Sequence, residues 1–145
     1  MKEYKFYGWQ GADVLPIHEE YAAVGTPREL YDLMTGIWCR ESCAPRLRPQ
    51  WSEDNRTVGQ CSITSFLVQD IYGGKVYGVP LEEGGYHCYN VVGDCVFDLT
   101  SEQFGGKKLY YEGNPEQLRE VQLAPEEKRL RYEYLVKELN KKLGL

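Results

Sequence analysis

Two strand-like runs joined by Gly93 and Asp94 constrain the fold more than any other feature of the chain. The runs cover residues 86–92 and 95–99, and both contain aromatic and β-branched side chains. Two residues that include glycine are a common connection between antiparallel strands, so the pattern predicts a β-hairpin. Because helical patterns flank this hairpin, we expect an α+β fold with a small antiparallel sheet.

The register of the hairpin places two ionisable side chains on one face of the predicted sheet. Pairing that counts outward from the turn puts Asp98 opposite Tyr89. His87 and Tyr89 are two residues apart and therefore point to the same face. Asp98 and His87 are then diagonal neighbours, about 7 Å apart at the backbone, a separation that side chains can bridge with a hydrogen bond.

A cysteine lies where a polar, glycine-containing loop turns into an apolar helix. Residues 60–71 carry apolar side chains at helical spacing, and Cys61 falls in the first turn. Unpaired N–H groups and the positive end of the helix dipole favour the thiolate there. Cys61, His87 and Asp98 are therefore candidate catalytic residues, with a nucleophilic thiol, a general base and a group that orients the base.

Two members of this set also have purely structural interpretations. A single His87 is compatible with a half-buried, hydrogen-bonded histidine. Asp98 is compatible with support of the short helical turn that a capping-box pattern predicts from Thr100 to about residue 104. The combination with Cys61 favours the functional interpretation.

Cysteine and histidine together raise the alternative of a structural zinc site. Cys39 and Cys43 are four residues apart, whereas structural zinc ligands usually come as C-x-x-C pairs. His87 and Cys88 are adjacent and would point to opposite faces of a strand. We therefore predict no metal and no cofactor. The other cysteines are expected to be small buried hydrophobic residues: Cys39, Cys43, Cys88 and Cys95.

Two further helices complete the predicted α+β domain. Residues 26–38 begin with a capping box formed by Thr26 and Glu29. Residues 125–143 repeat leucine at four-residue steps and carry acidic residues at the start and basic residues at the end, as a helix prefers. One domain is expected, with residues 1–25 as an irregular arm, residues 26–124 as the core and residues 125–145 as the C-terminal helix.

A long loop at residues 43–59 leads into Cys61, and loops of this length are often functional. Trp51 lies in it, and packing of the loop onto the core is favoured over forming one wall of a substrate cleft. A cleft lined by Trp51, Tyr86 and Tyr89 is also compatible with a module that binds a small molecule or peptide without chemistry. A third alternative is an interaction protein with a tyrosine-rich partner surface.

Charge and hydropathy argue against two classes of partner. The chain has 145 residues and a net charge of −5, and its basic residues are scattered or lie opposite glutamates near the C-terminus, which argues against binding nucleic acid. No apolar run approaches the roughly 20 residues that span a bilayer, and no secretory segment is recognisable. We therefore expect a cytoplasmic monomer or weak homodimer with reduced thiols, acting on a small-molecule, peptide or protein substrate.

Several sequence blocks between residues 26 and 104 occur in an order that is characteristic of one family. They are Gly59-Gln60-Cys61-Ser62-Ile63-Thr64, Val68-Gln69-Asp70, Gly73-Gly74, His87-Cys88-Tyr89-Asn90 and Asp98-Leu99-Thr100-Ser101-Glu102-Gln103-Phe104. In these blocks the chain resembles the YunG-like family of small, largely uncharacterised bacterial proteins. That resemblance implies no particular activity.

The order of cysteine, histidine and acid is also similar to that of the papain-like superfamily, which includes transglutaminase-like and NlpC/P60-like enzymes. This wider resemblance implies a thiol that starts a helix packed on an antiparallel sheet. It implies Cys61 as nucleophile, His87 as general base and Asp98 as the orienting group. The Cys61 backbone N–H and the Gln60 side chain would hold the oxyanion. The expected function is a cysteine-dependent hydrolase or acyltransferase acting on an amide, isopeptide or thioester.

Overall fold

The hairpin predicted around residues 93 and 94 is present, and its first strand is the central strand of a small sheet. The computed structural model describes residues 4–105 and 107–145 of the chain. Gly93 adopts a φ of 59° in the two-residue turn, a conformation that glycine adopts without steric cost. The sheet is antiparallel with the strand order β1-β2-β3, where β1 is Lys75–Pro80, β2 is Tyr86–Val92 and β3 is Cys95–Phe97.

Helices cover this sheet, which makes the fold α+β as predicted. The helix that begins at Cys61 packs on β1 and β2. The C-terminal helix packs against the opposite side of this Cys61 helix. The short helix that precedes the C-terminal helix was not predicted, because a single turn carries too little periodicity to detect. The helices are α1 (Pro27–Thr35), α2 (Cys61–Tyr72), α3 (Arg119–Gln122) and α4 (Glu126–Leu143).

The first helix is shorter than the sequence predicts. The capping box is present, and the Thr26 N–H donates to the Glu29 carboxylate at 3.1 Å. The helix ends at Thr35 and not near residue 38, because Gly36 follows it and closes the last turn. Trp38 is nevertheless 2% exposed, and its indole N–H donates to the Thr64 hydroxyl of α2 at 3.0 Å.

The main core lies between α1, α2 and α4. The buried face of α2 contributes Ile63, Leu67, Val68 and Ile71 to it. The opposite side of α2 contributes Phe66 to a second, smaller cluster with β1 and β2. Because α2 is apolar on both sides, it is a central helix with little contact with solvent.

Segments from distant parts of the chain cover both edges of the sheet. On the β1 side, the Gly78 N–H donates to the Pro115 carbonyl at 3.0 Å, and the Gln117 N–H donates to the Val76 carbonyl at 2.8 Å. On the β3 side, the N-terminal arm forms a bridge through Tyr7 to Asp98. Strand β3 ends at Phe97, earlier than the predicted residue 99, because the next residue, Asp98, begins a turn and accepts hydrogen bonds from Thr100 and Ser101.

The predicted arm covers residues 1–25, of which residues 1–3 lie outside the described residues. Residues 4–25 contain 3₁₀ turns at Trp9–Gly11 and Glu19–Val24. The loop before α2 contains a 3₁₀ turn at Pro45–Gln50. Another turn at Ser101–Phe104 follows the hairpin. No helix among the described residues is both long and apolar enough to cross a membrane.

The cysteines do not all have the predicted environment. All five thiols are free. Cys43 and Cys88 are buried, as expected of small hydrophobic residues. Cys39 and Cys95 are only partly buried, so the prediction was wrong for these two. Cys39 lies against a helix face and contacts the Tyr134 hydroxyl. Cys95 lies against a surface loop and donates to the Gly11 carbonyl.

Candidate functional site

The hairpin brings together the histidine and the acid that its register predicts. His87 Nε2 lies 2.6 Å from Asp98 Oδ2. Both side chains are 1% exposed. A charge-assisted hydrogen bond of this length in a buried site fixes the orientation of the imidazole ring.

The Asp98 carboxylate also caps the turn that follows the hairpin. Its Oδ1 accepts hydrogen bonds from the Thr100 N–H at 3.1 Å and from the Thr100 hydroxyl at 3.2 Å. Capping therefore comes from Asp98, whereas the sequence pattern assigned it to Thr100. The structural role and the contact with His87 use different oxygens of the same carboxylate.

Tyr111 is a member of the site that sequence reasoning did not identify. Its hydroxyl donates to Asp98 Oδ2 at 2.8 Å, to the oxygen that also contacts His87. Its ring stacks on Tyr7 with centroids 4.0 Å apart and packs edge-on against Tyr89 at 4.9 Å. The residue lies in a loop with no periodicity, so no sequence signal connects it with the hairpin.

Cys61 is the first residue of α2 and interacts with two adjacent residues of β2, His87 and Cys88. The thiol of Cys88 forms a hydrogen bond to the Cys61 sulfur, and this contact is the largest influence that lowers the pKa of Cys61. Burial raises that pKa, but the interaction with His87 lowers it further. The pKa of Cys61 lies well below 9.0 as a result, which favours the thiolate.

The His87 ring has one nitrogen available to Cys61. Nε2 is engaged by Asp98, and Nδ1 has no conventional hydrogen-bond partner within the part of the chain that the structure describes. Burial lowers the pKa of His87, but the charge and hydrogen bond of Asp98 and the contact with Cys61 raise it to about 10. A low thiol pKa beside a high imidazole pKa corresponds to a thiolate–imidazolium pair.

A cleft of about 530 Å³ opens onto Cys61 and His87. Tyr86 lines it, as predicted, and is 43% exposed. Phe104 forms another wall and packs edge-on against the His87 ring at 4.6 Å. Residues 44–50 and the first half of α4 close the remaining sides. We call this space the Cys61 cleft.

Three predicted lining or oxyanion residues do not line the Cys61 cleft. The Trp51 indole N–H donates to the Arg56 carbonyl at 2.9 Å, so the ring packs the loop onto itself. Tyr89 is 2% exposed, and its hydroxyl accepts a hydrogen bond from Asn114 at 2.9 Å. Trp51 therefore packs within its own loop, whereas the sequence favoured packing of that loop onto the core.

Gln60 is buried and braces the loop before α2. Its Oε1 accepts a hydrogen bond from the Ser42 hydroxyl at 2.8 Å, and its Nε2 donates to the Cys39 carbonyl at 3.1 Å. Both ends of the side-chain amide are used in these contacts. This placement supports the backbone in front of Cys61 instead of presenting a donor to the cleft.

The described residues contain no group of three or more His, Cys, Asp or Glu side chains arranged to hold a metal ion. His87 and Cys88 both contact Cys61, although they lie next to each other on one strand. The site is therefore a cluster of two thiols, an imidazole and a carboxylate. Its chemical capacity is that of a polarised thiolate beside a proton donor.

Comparison with known proteins places the chain in a family of unassigned activity. It is 36% identical over 67 residues to a Bacillus subtilis (strain 168) protein described as "Uncharacterized protein YunG". That match covers 46% of this chain and 53% of the Bacillus protein, so it spans about half of each. No solved structure matches significantly. The family model described as YunG protein matches residues 26–144, and the chain belongs to the YunG family.

Proposed function

We propose that this protein is a cysteine-dependent hydrolase or acyltransferase with a papain-like catalytic arrangement. The observation that carries the proposal is the buried 2.6 Å contact between His87 and Asp98 beside a thiol that opens onto a cleft. In this assignment Cys61 is the nucleophile, His87 transfers protons, and Asp98 orients His87. The substrate is an amide, isopeptide or thioester.

The first step is attack of the Cys61 thiolate on the substrate carbonyl carbon. The helix start supplies the backbone N–H of Cys61 as a donor for the developing oxyanion. His87, protonated in the resting pair, gives its proton to the departing amine or thiol, which leaves an acyl group on Cys61. Water or an amine then attacks this thioester while neutral His87 accepts the proton. The choice between water and amine decides between hydrolysis and transfer.

The burial of the pair supports this mechanism beyond the contact distance. A hydrogen bond between charged groups is stronger where water is excluded, because the local dielectric constant is low. Phe104 covers the ring of His87, while the Cys61 cleft leaves the sulfur accessible. A substrate carbonyl can thus approach the sulfur without exposing Asp98 to water.

The test is the pH dependence of alkylation by iodoacetamide, mapped by mass spectrometry at each cysteine. We expect Cys61 to be labelled well below pH 8 and at a lower pH than the partly exposed Cys39 and Cys95. His87→Gln should move the labelling of Cys61 to higher pH by at least 1 unit. The exposed His18 provides the matched control, because His18→Gln should leave the profile unchanged.

Circular dichroism of each variant establishes that it is folded before the profiles are compared. If Cys61 in the wild type reacts like Cys39 and His87→Gln changes nothing, the nucleophile assignment fails. The Cys61 cleft would then be studied as a site for non-catalytic binding. If the pair is confirmed, incubation with a panel of thioesters should add an acyl mass to Cys61 that Cys61→Ala lacks.

A further inference from the structure

Cys88 lies beneath the first turn of α2. Side chains two residues apart on a strand share a face, so Cys88 and Asn90 point to the same side of β2. The Asn90 amide donates to the Ser65 carbonyl of α2 at 2.9 Å. Ser65 lies one helical turn after Cys61. Strand β2 is antiparallel to β1, which follows α2 after a two-residue link, so β2 runs in the same direction as α2. The preceding residue on its face, Cys88, therefore meets the preceding turn of the helix, where Cys61 lies.

The contacts of the two cysteines agree with this placement. The interaction with Cys88 is the largest influence that lowers the pKa of Cys61, and the interaction with Cys61 is the largest influence that raises the pKa of Cys88. Two thiols in direct contact can be joined by a bond with little movement of the backbone. The site therefore holds a second sulfur that the acyl chemistry does not use.

The two sulfurs differ in their access to small molecules. Cys61 lines the cleft, whereas Cys88 is 0% exposed and packs against Phe66 and Val76. A small oxidant can therefore reach Cys61 first, and Cys88 can react only with a group already attached to Cys61. This difference assigns distinct roles to the two thiols.

The remaining cysteines make their polar contacts elsewhere. Cys39 contacts the Tyr134 hydroxyl at 3.6 Å, Cys43 the Ala44 carbonyl at 3.4 Å and Cys95 the Gly11 carbonyl at 3.0 Å. Reaction of Cys61 with a second thiol of the same chain should therefore select Cys88.

We propose that Cys61 and Cys88 form a redox pair, in which hydrogen peroxide oxidises Cys61 and Cys88 closes a reversible disulfide. The Cys61 thiolate attacks one peroxide oxygen, the O–O bond breaks, and hydroxide leaves and takes a proton to become water. The sulfur is oxidised to a sulfenic acid by two electrons. The Cys88 thiol then loses its proton and attacks that sulfur, the S–O bond breaks, and a second water leaves.

The balance is two thiols and one hydrogen peroxide giving one disulfide and two waters. The disulfide joins the nucleophile of the proposed acyl chemistry to a buried partner, so it would switch that chemistry off until a reducing thiol reopens it. The redox proposal does not rest on the acyl chemistry, because it needs neither an acyl substrate nor proton transfer to a leaving group.

The experiment treats the folded wild-type chain with hydrogen peroxide, blocks free thiols and maps peptides without reduction. We expect a peptide pair linked through Cys61 and Cys88, with a mass lower by two hydrogens, that dithiothreitol separates. In Cys88→Ala, dimedone should trap the sulfenic acid of Cys61 at least fivefold more than in the wild type. Cys43→Ala is the matched control with a buried thiol removed, and it should still form the disulfide.

The wild-type measurement decides the proposal even if Cys88→Ala is unstable. Oxidation of Cys61 to sulfinic acid in the wild type without a link to Cys88 would overturn it. A link to Cys39, Cys43 or Cys95 in place of Cys88 would overturn it equally. Loss of acyl-transfer activity alone would bear on the proposed function and leave the disulfide result intact.

Discussion

At the scale of single residues, the Asp98 carboxylate is the most heavily used group in the site. It accepts hydrogen bonds from Thr100 and Tyr111 while it contacts His87. A buried carboxylate that is shared in this way depends on each donor, because every lost donor leaves charge density without a partner. The hydroxyl of Tyr111 should therefore contribute to stability.

Tyr111→Phe removes this hydroxyl and keeps the ring that stacks on Tyr7. We expect the free energy of unfolding in urea to fall by about 1–2 kcal/mol. The neighbouring Tyr110 is 85% exposed, and Tyr110→Phe should change stability by less than about 0.5 kcal/mol. Equal unfolding midpoints for the two variants would show that the Tyr111 hydroxyl does not support Asp98.

The Cys61–His87 pair also predicts how stability depends on pH. In the proposed resting pair the thiol is ionised and the imidazole protonated near neutral pH, which the lowered pKa of Cys61 and the raised pKa of His87, about 10, both favour. In the unfolded chain between about pH 6.5 and 8.5 the thiol is protonated and the imidazole neutral. Both states then bind the same number of protons, and the pair contributes no slope to the unfolding free energy.

Cys61→Ala breaks this balance. Without Cys61, the charge and hydrogen bond of Asp98 still raise the pKa of His87. The stabilisation from this contact is complete below about pH 6.5 and is lost as pH rises through the folded pKa. The stability of Cys61→Ala relative to the wild type should fall between pH 6.5 and 8.5, by up to about 1.4 kcal/mol per pH unit. Urea unfolding measures this, with Cys39→Ala as a control. Parallel profiles for Cys61→Ala and the wild type would contradict an ionised resting pair.

The sequence predicts the contact of His87 with Asp98 because two simple rules determine it. The two-residue turn sets the register, and the period of two sets the face. The contacts of Gln60 and Tyr111 could not be predicted in this way. Their partners lie in loops, and loop conformation depends on tertiary packing that no local pattern encodes.

At the scale of elements, the junction between the loop and α2 determines where Cys61 lies. Gly59 has a φ of 71°, and a Cβ atom built there would lie 2.5 Å from Cys43 Sγ and 2.7 Å from the Ala44 nitrogen. Glycine is required at this position for both conformation and space. The loop segment at Cys43 and Ala44 consequently packs directly on Gly59, two residues before the helix begins.

Gly59→Ala should destabilise the protein and disturb the start of α2. Gly113 is the matched control, because it has a similar φ of 69° and no atom within 4 Å of a built Cβ. Gly113→Ala should cost about 1 kcal/mol for the backbone conformation alone. Gly59→Ala should cost at least about 2 kcal/mol more in urea unfolding and slow Cys61 alkylation. Similar losses in both variants would rule out the steric requirement at Gly59.

Most helices and strands were predictable, but some of their ends were not. The helix from Cys61, the strand at residues 75–80 and the hairpin follow strong local patterns. The end of α1 was misplaced because the apolar spacing continues through Trp38 after the backbone has left the helix. The early end of β3 reflects the turn that begins at Asp98, whose carboxylate accepts a hydrogen bond from the Thr100 N–H.

At the scale of the whole molecule, one arginine connects the C-terminal helix with both ends of the loop before α2. Arg131 is 7% exposed and donates to the Ser42 carbonyl at 2.9 Å and to the Gly59 carbonyl at 3.5 Å. It also pairs with Glu127 on its own helix. Removal of the guanidinium would leave the buried Ser42 carbonyl without this donor.

Arg131→Met keeps an apolar stem and removes the charge. We expect the unfolding free energy to fall by about 2 kcal/mol and the loop at residues 43–59 to become more sensitive to limited proteolysis. Arg129→Met, at an exposed position on the same helix, should leave both measurements unchanged. Equal proteolysis of the two variants would mean that α4 does not restrain the loop through Arg131.

The protection of the two sheet edges has a consequence for synthesis of the chain on the ribosome. Residues near Tyr7 emerge before the hairpin and can cover the β3 edge as soon as that strand forms. Strand β1 emerges earlier than its covering segment, which includes Pro115 and Gln117. A nascent chain that includes β1 but not yet Pro115 and Gln117 exposes the unpaired edge of β1. That edge can pair with another chain. The interval before residue 117 emerges is therefore when the polypeptide is most prone to aggregate.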